Sequence, residues 1–203
     1  MAQRARSNER DAGDPSSAAD NAASELETRR RRSVLLTGVL LGIGIIGFLD
    51  EAILHQLLQW HTFYWGTDLH GRVLSDGLFH VFSTVLLLWG AYRLWRTPRD
   101  WMQSRRGALL AAILIGAGGF NVYDGLIDHL VFHFHLVNEQ VCPVVNANNS
   151  IVNCLQDIPF EIVFTSIGIV VLVGGILWWR QTARMGSVTG SITGSITGPA
   201  AEA

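Results

Sequence analysis

The sequence predicts an all-α, polytopic membrane protein, a four-helix bundle with the N and C termini in the cytoplasm. Of its 203 residues 49% are hydrophobic, and the mean hydropathy is +0.27, both high for a soluble domain. The apolar residues gather in four stretches, at about 33–60, 76–95, 107–135 and 158–179. Each stretch is long enough, at about 1.5 Å per residue, to cross a hydrocarbon core of about 30 Å.

Arginine placement predicts the orientation of the helices. Every basic side chain other than histidine is an arginine, and most of the arginines near the apolar stretches lie at one end of them: Arg29–Arg32, Arg93, Arg96, Arg99, Arg105, Arg106, Arg180 and Arg184. The positive-inside rule then places both termini and the middle loop in the cytoplasm. The absence of lysine suggests a GC-rich bacterial genome. We therefore expect a multi-pass protein of the bacterial inner membrane.

Composition divides the chain into three parts. Residues 1–32 are rich in Ala, Ser, Asp, Glu and Arg without an apolar period, which predicts a disordered cytoplasmic tail. Residues 33–182 carry the four apolar stretches and form the transmembrane domain. Residues 183–203 repeat a Gly-Ser-Val/Ile-Thr tetrad, which is typical of a flexible linker.

Two short motifs have a structural explanation. Gly42-Ile-Gly44-Ile-Ile-Gly47 matches the dinucleotide-binding GxGxxG pattern, but it neither follows a strand nor opens a helix. We therefore expect these glycines to allow close helix packing in the membrane. Cys142 and Cys154 both lie in the outer loop between the third and fourth stretches, where an oxidising exterior favours a disulfide over a thiolate metal site.

All seven histidines lie between His55 and His135, at the outward end of the apolar stretches. Carboxylates accompany them on all four stretches, and ionisable groups in or beside a bilayer are costly. The midplane of the helices carries no such groups, which argues against conduction of charged solutes. The polar layer therefore indicates a shallow site that faces outward.

Imidazole and carboxylate together suit Zn, Fe, Mn or Cu, and four-helix bundles build metal sites from such inward-facing side chains. Helical spacing places Glu51 with His55, and Asp76 with His80, on shared faces, while His129 lies on a stripe beside that of Asp124, Asp128 and His135. The predicted ligands of a divalent metal ion, some of which would instead orient other ligands, are His55, His80, His129, His135, Asp50, Asp76, Asp124 and His61.

Three motifs succeed one another in the outer parts of the first three helices: GFLD with LHQLLQWH (47–61), DGLFH (76–80), and FN with DGLIDH (120–129), followed by His135 and Glu139. In this order they resemble a bacterial domain-of-unknown-function family of four-helix predicted membrane proteins, of the DUF2243 type. The resemblance implies the architecture and a set of family-type positions, namely Asp50, His55, Gln59, His61, Asp76, His80, Asn121, Asp128, His129 and His135. The chain departs from the family pattern at Glu51, Asp124, Leu130 and Leu136.

Several functions stay open at this point. The leading hypothesis is a metal-binding inner-membrane protein; if it is an enzyme, Glu51 or Asp128 would act as the catalytic base on a lipid or periplasmic substrate. The alternatives are a non-enzymatic metal- or haem-handling accessory of a membrane complex, and a structural membrane protein with a polar cap. Haem is less favoured than a metal ion because the acidic neighbours exceed what haem needs. We expect the lipid bilayer as a partner, with a membrane complex or a homo-oligomer as further options, and no nucleic acid.

Overall fold

The computed structural model describes residues 15–142 and 154–196, and within them it contains helices and connecting turns with no β-strand. The α-helices are α1 Pro15–Asp50, α2 Leu69–Trp95, α3 Arg99–Gln103, α4 Arg106–Tyr123 and α5 Ile158–Ile196. All but the short α3 are long and apolar enough to cross a membrane. The prediction of an all-α, four-helix membrane bundle is confirmed.

Three helices extend beyond the apolar stretches that predict them: α2 begins at Leu69 rather than near residue 76, and the other two are α1 and α5. α1 begins at Pro15, inside the segment that we predicted as a disordered tail, and α5 continues into the predicted C-terminal linker. Alanine, glutamate and arginine are strong helix formers, and Glu27 pairs with Arg105 at 2.7 Å, which supports the extension of α1. The division into a domain and two tails stays a prediction, and residues 1–14 and 197–203 lie outside the described residues.

α1 and α4 both change geometry near the outer surface. α1 continues into a π-helical turn at Glu51–Leu57, and α4 continues into one at Asp124–His129. Each turn is followed by a non-glycine residue in the left-handed region, Gln59 at φ 52° and His133 at φ 53°. Few residues other than glycine adopt this conformation, so both positions reverse the chain at a conformational cost.

The two chain reversals are equivalent because the molecule contains an internal repeat. A constant shift of 74 residues relates Asp50 to Asp124, His55 to His129, and His61 to His135. The same Asp-x4-His-x5-His pattern therefore ends both α1 and α4, and each of these helices pairs with the helix that follows it, α2 or α5. The bundle consists of two hairpins.

Reciprocal contacts show that the hairpins are related by an approximate twofold axis. The amide of Trp65 donates to the carbonyl of Phe134 at 2.8 Å, and the amide of Glu139 donates to the carbonyl of Trp60 at 2.7 Å. Each bond is the repeat equivalent of the other, with the two halves exchanged. Such exchange is the signature of a twofold interface, in which both sides use the same surface.

Glycines allow the helices of the bundle to approach closely. A Cβ at Gly42 would overlap the carbonyl oxygen of Ile113, and a Cβ at its repeat equivalent Gly116 would overlap that of Val39. The α1–α4 crossing is therefore made of backbone against backbone, as small residues permit in membranes. The packing interpretation of the GxGxxG motif is confirmed.

The ends of the bundle differ in chemistry. At the arginine end, Arg93 donates to Thr37 Oγ1 at 3.1 Å, and Arg31 donates to the Trp179 carbonyl at 3.1 Å. At the histidine end, Cys142 and Cys154 form a disulfide, which confirms that prediction. The disulfide joins the segment that follows His135 to the start of α5, so the second hairpin is closed covalently above the histidines.

Candidate metal centre

Four histidines are buried between the two π-helical turns and the segments that fold back over them. His55, His61, His129 and His135 are only 6%, 3%, 2% and 1% exposed. The rings of His61 and His135 stack at the twofold axis with centroids 4.7 Å apart. The other two rings flank this stack: His55 lies 4.3 Å from His61, and His129 lies 4.4 Å from His135.

The first half of the repeat contributes a ligand set of Asp50, His55 and His61. One ligand atom from each of the three residues lies within 4.8 Å of the others. Asp50 Oδ2 is 3.3 Å from His55 Nε2. The π-helical turn explains this approach because its i to i+5 repeat brings residues five apart onto one face.

The second half contributes the equivalent set of Asp124, His129 and His135. Asp124 Oδ2 is 3.3 Å from His129 Nε2, and Asp124 Oδ1 is 3.7 Å from His135 Nε2. The two imidazole Nε2 atoms are 2.9 Å apart. All three side chains are buried, so water does not separate them from one another.

The two central histidines are held by the backbone of the opposite half. His61 Nδ1 donates to the Val137 carbonyl at 2.8 Å, and His135 Nδ1 donates to the Phe63 carbonyl at 3.0 Å. A carbonyl only accepts, so the proton of each neutral ring lies on Nδ1. The Nε2 lone pairs of both rings are left facing the centre, which is the form in which imidazole binds a metal.

The two outer histidines are held by carboxylates from the second helix of each hairpin. Asp76 Oδ1 lies 3.1 Å from His55 Nδ1, and Glu161 Oε2 lies 2.9 Å from His129 Nδ1. The same carboxylates accept the amides of Phe63 and Val137. Carboxylates in this position orient metal-binding histidines and raise their basicity. Glu161 was not among the predicted ligands, although it holds the same position beside His129 as Asp76 holds beside His55.

The chemistry of these donor sets fits a divalent cation. His129 Nε2 and His135 Nε2 are 2.9 Å apart, so the two nitrogens share either a proton or a cation. His61 Nε2 is buried with no hydrogen-bond partner among the described residues, while His55 Nε2 contacts Asp50 Oδ2 at 3.3 Å. Ligands of one ion with bonds of about 2.0–2.1 Å lie roughly 3 Å apart, close to these separations.

Burial keeps the central histidines in the neutral form. It lowers the pKa of His61 to about 4 and the pKa of His135 well below its ordinary value of 6.5, with neighbouring histidines adding to both shifts. Both rings are therefore uncharged at neutral pH, and protons do not compete with a metal ion for their Nε2 atoms.

A third group lies behind His55 and exists in the first half only. Glu51 Oε2 is 3.3 Å from His55 Nδ1, on the same side of the ring as Asp76. The repeat equivalent of Glu51 is Gly125, so the second half has no such group. His55 Nδ1 therefore has two carboxylate neighbours, Asp76 and Glu51, and these three residues form a further group with ligand atoms within 4.8 Å of one another.

The structure brings together all but one of the predicted ligands. His80 packs its ring against Phe48 at 5.1 Å, outside the three groups, and does not share a ligand cluster with Asp76. Its position near Glu51 places it at the edge of the centre. Asp128 is 6% exposed and contacts Asp124, so it borders the second set without belonging to it.

Two cavities reach the centre from different sides. A polar cavity of about 790 Å³ is lined by Glu51, His55, His61, Arg72 and Glu139, among others. An aromatic cavity of about 650 Å³ is lined mainly by phenylalanines and tyrosines and also by Asp128. Each of the two acids that we predicted as catalytic bases therefore lines one cavity.

Glu139 makes the polar cavity sensitive to pH. Burial raises its pKa to about 7 from an ordinary value of 4.5, and the charge of Arg72 opposes that shift only in part. The unfolded chain ionises near pH 4.5 while the folded protein holds the proton to about pH 7. Folding stability is therefore lost as the pH rises through this interval, and the contribution of Glu139 is most favourable below it.

We expect Glu139→Gln to raise the melting temperature of the protein at about pH 8 and to leave it nearly unchanged at about pH 5, because the amide carries no ionisation cost at either pH. Thermal unfolding in detergent, followed by circular dichroism at both pH values, measures the difference. A variant that shifts the melting temperature equally at the two pH values would contradict the assignment.

The fold and the centre define a class: a four-helix membrane protein with a buried histidine–carboxylate centre between two hairpins. The family model described as predicted membrane protein (DUF2243) matches residues 37–182, which cover both hairpins. The chain belongs to this family, and the resemblance noted in its sequence is confirmed. No curated protein and no solved structure matches the chain.

Proposed function

We propose that the protein binds two divalent transition-metal ions, one in each half of the repeat, and acts as a metal-dependent membrane enzyme. The first ion would be held by Asp50, His55 and His61, and the second by Asp124, His129 and His135. One observation carries the proposal: four buried imidazoles have their Nδ1 atoms committed to fixed acceptors, which leaves four Nε2 atoms and two aspartates directed at the twofold axis.

Charge balance favours two ions. Asp50 and Asp124 supply two negative charges to the ligand sets, and Asp76 with Glu161 supplies two more directly behind the histidines. Two divalent ions bring four positive charges, whereas a single ion would leave more of these carboxylates, and the neighbouring Glu51, without compensation. A buried centre is least costly when its charges cancel, so this composition suits two ions better than one.

In this proposal the residues of the chain have different roles. Bound divalent ions supply Lewis-acid or redox chemistry at the base of the cavities. Asp76 and Glu161 orient His55 and His129. Glu51, at the polar cavity, and Asp128, at the aromatic cavity, are placed to accept or return protons of a substrate. The arginines at the opposite end favour an orientation in a bacterial inner membrane with the centre facing outside.

The geometry does not favour the alternatives. A haem with two histidine ligands would need His55 or His80 to oppose His129 across the macrocycle, whereas the stacked rings of His61 and His135 lie between His55 and His129. A purely structural polar cap would pair its buried groups. The Nε2 atom of His61 is buried with no hydrogen-bond partner in the described part of the chain.

Elemental analysis of the purified full chain tests the proposal. We expect two equivalents of a transition metal per chain after purification without chelators, and their loss on dialysis against a strong chelator. His70→Ala is the matched control, because His70 lies at the start of α2 outside the metal-binding groups; it should retain both equivalents. A protein that binds no stoichiometric metal after reconstitution with Zn, Fe, Mn or Cu would refute the proposal.

A further inference from the structure

Two apolar cavities flank the centre, and they are equivalents of each other under the internal repeat. The aromatic cavity of about 650 Å³ includes Phe79, and the second cavity, of about 410 Å³, includes Phe164 at the equivalent place. These two rings lie against His55 and His129 at 5.9 and 5.4 Å. Each cavity therefore approaches one outer histidine from the side of the second helix of its hairpin.

The two cavities differ in the polarity of one pair of equivalent lining residues. Asp128 lines the aromatic cavity, and its repeat equivalent Leu54 lines the second cavity. Asp128 is only 6% exposed, and its carboxyl contacts Asp124 of the second ligand set. The internal repeat accounts for the Asp-x4-His-x5-His groups, which occur in both halves; it does not account for an acid in one cavity alone.

The aromatic cavity opens sideways toward lipid. Leu78, Phe82 and Tyr123 line it and are 63%, 53% and 52% exposed, and all three belong to helices that can span the membrane. Its other walls are rings, including those of Phe63, Phe120 and Phe134. A molecule that enters here comes from the bilayer and meets aromatic faces, which stack well on a planar ring.

We propose that the aromatic cavity binds a lipid-soluble hydroxyaromatic molecule of the phenol or hydroquinone class, with its ring between the aromatic walls and its hydroxyl donating to the Asp128 carboxylate. Among the described residues Asp128 is the one carboxyl that lines the aromatic cavity, and a hydroxyl can hydrogen-bond to it whereas an acyl chain cannot. The bound hydroxyl would lie beside Asp124. Any reaction of the bound molecule rests on the proposed function, since the occupant is the candidate substrate of that centre.

A matched pair of probes tests the inference: p-nonylphenol and nonylbenzene, which share their hydrocarbon and differ in the hydroxyl. Binding to the detergent-solubilised full chain is measured by isothermal titration calorimetry. We expect the phenol to bind about tenfold more tightly than nonylbenzene, as one hydrogen bond to a buried charged group provides. Equal affinities of the two probes for the wild-type protein would overturn the inference.

Substitutions at equivalent positions of the two halves provide the controls. Asp128→Leu installs the residue of the equivalent position, and we expect it to abolish the preference for the phenol. Leu78→Trp fills the mouth of the aromatic cavity, and we expect about a tenfold loss of p-nonylphenol binding. Val163→Trp makes the same change in the second cavity and should leave phenol binding unchanged. An equal loss in Leu78→Trp and Val163→Trp would also overturn the inference.

Metal content measured on the same preparations separates the two proposals. Two equivalents of metal with no preference for the phenol would refute the cavity assignment alone. A preference for the phenol without stoichiometric metal would refute the proposed function and leave the binding site standing. Because Leu78 is exposed at the helix surface, its replacement tests the cavity even if Asp128→Leu fails to fold.

Discussion

Replacing His129 with alanine is expected to remove one of two bound metal ions and to leave the other. His129 belongs to the second ligand set only, and Glu161 orients His129 and no histidine of the first set. Loss of one of three protein ligands should weaken that ion by more than about 100-fold, since loss of an orienting partner alone costs 10–100-fold. Elemental analysis after dialysis against a weak chelator gives the stoichiometry.

The repeat provides the matched experiment. His55→Ala should remove the other ion, and the double variant His55→Ala/His129→Ala should hold none. His80→Ala is the control, because His80 packs on Phe48 outside the ligand groups, and it should keep both ions. If His129→Ala lost both ions together, the two halves would form one coupled site for two ions rather than two independent sites. If it lost neither, the ligand assignment would be wrong.

A comparably large effect, on stability, is expected from Gly118→Ala. A Cβ at Gly118 would overlap the backbone nitrogen of Leu172 across the α4–α5 contact, and backbone on both sides leaves no flexible side chain to move. We expect a destabilisation of about 3 kcal/mol, at the upper end of the usual cost of overpacking. Unfolding in mixed detergent micelles, followed by circular dichroism, measures the change.

Gly174→Ala is the control for this substitution. Gly174 lies on α5 with no described atom within 4 Å of an added Cβ, so alanine there meets open space. The variant should be as stable as the wild type or more stable by up to about 1 kcal/mol, because alanine is the better helix former. Equal effects of the two substitutions would show that helix propensity, and not close packing, explains these glycines.

The sequence predicts the helices well because hydropathy identifies the segments that can lie in lipid. Arginine placement then indicates which helix ends lie on the same side. It also identifies most of the histidines and aspartates of the centre. Helical spacing, however, places His129 on a different stripe from Asp124 and His135. The π-helical turn changes this, because residues five apart then share a face, and the left-handed residue His133 returns His135 over the helix end.

Spacing also misleads on α2. Asp76 and His80 are four residues apart, which predicts a pair, but Asp76 faces His55 on the neighbouring helix while His80 turns to Phe48. Partners between helices depend on how the helices pack against each other, and local periodicity carries no information on that. The internal repeat does carry it: Asp-x4-His-x5-His occurs at 50–61 and again at 124–135, and comparison of the chain with itself identifies both sets.

The exchanged hydrogen bonds of the central histidines bear on the order in which the molecule is assembled. His61 is oriented by the Val137 carbonyl and His135 by the Phe63 carbonyl. The central imidazole of each hairpin is therefore oriented by the backbone of the other hairpin. A nascent chain whose first hairpin alone has entered the bilayer has three potential ligands but no fixed tautomer at His61. If the ions bind as proposed, high-affinity loading would await the docking of the second hairpin, and bound ions would in turn stabilise the docked arrangement.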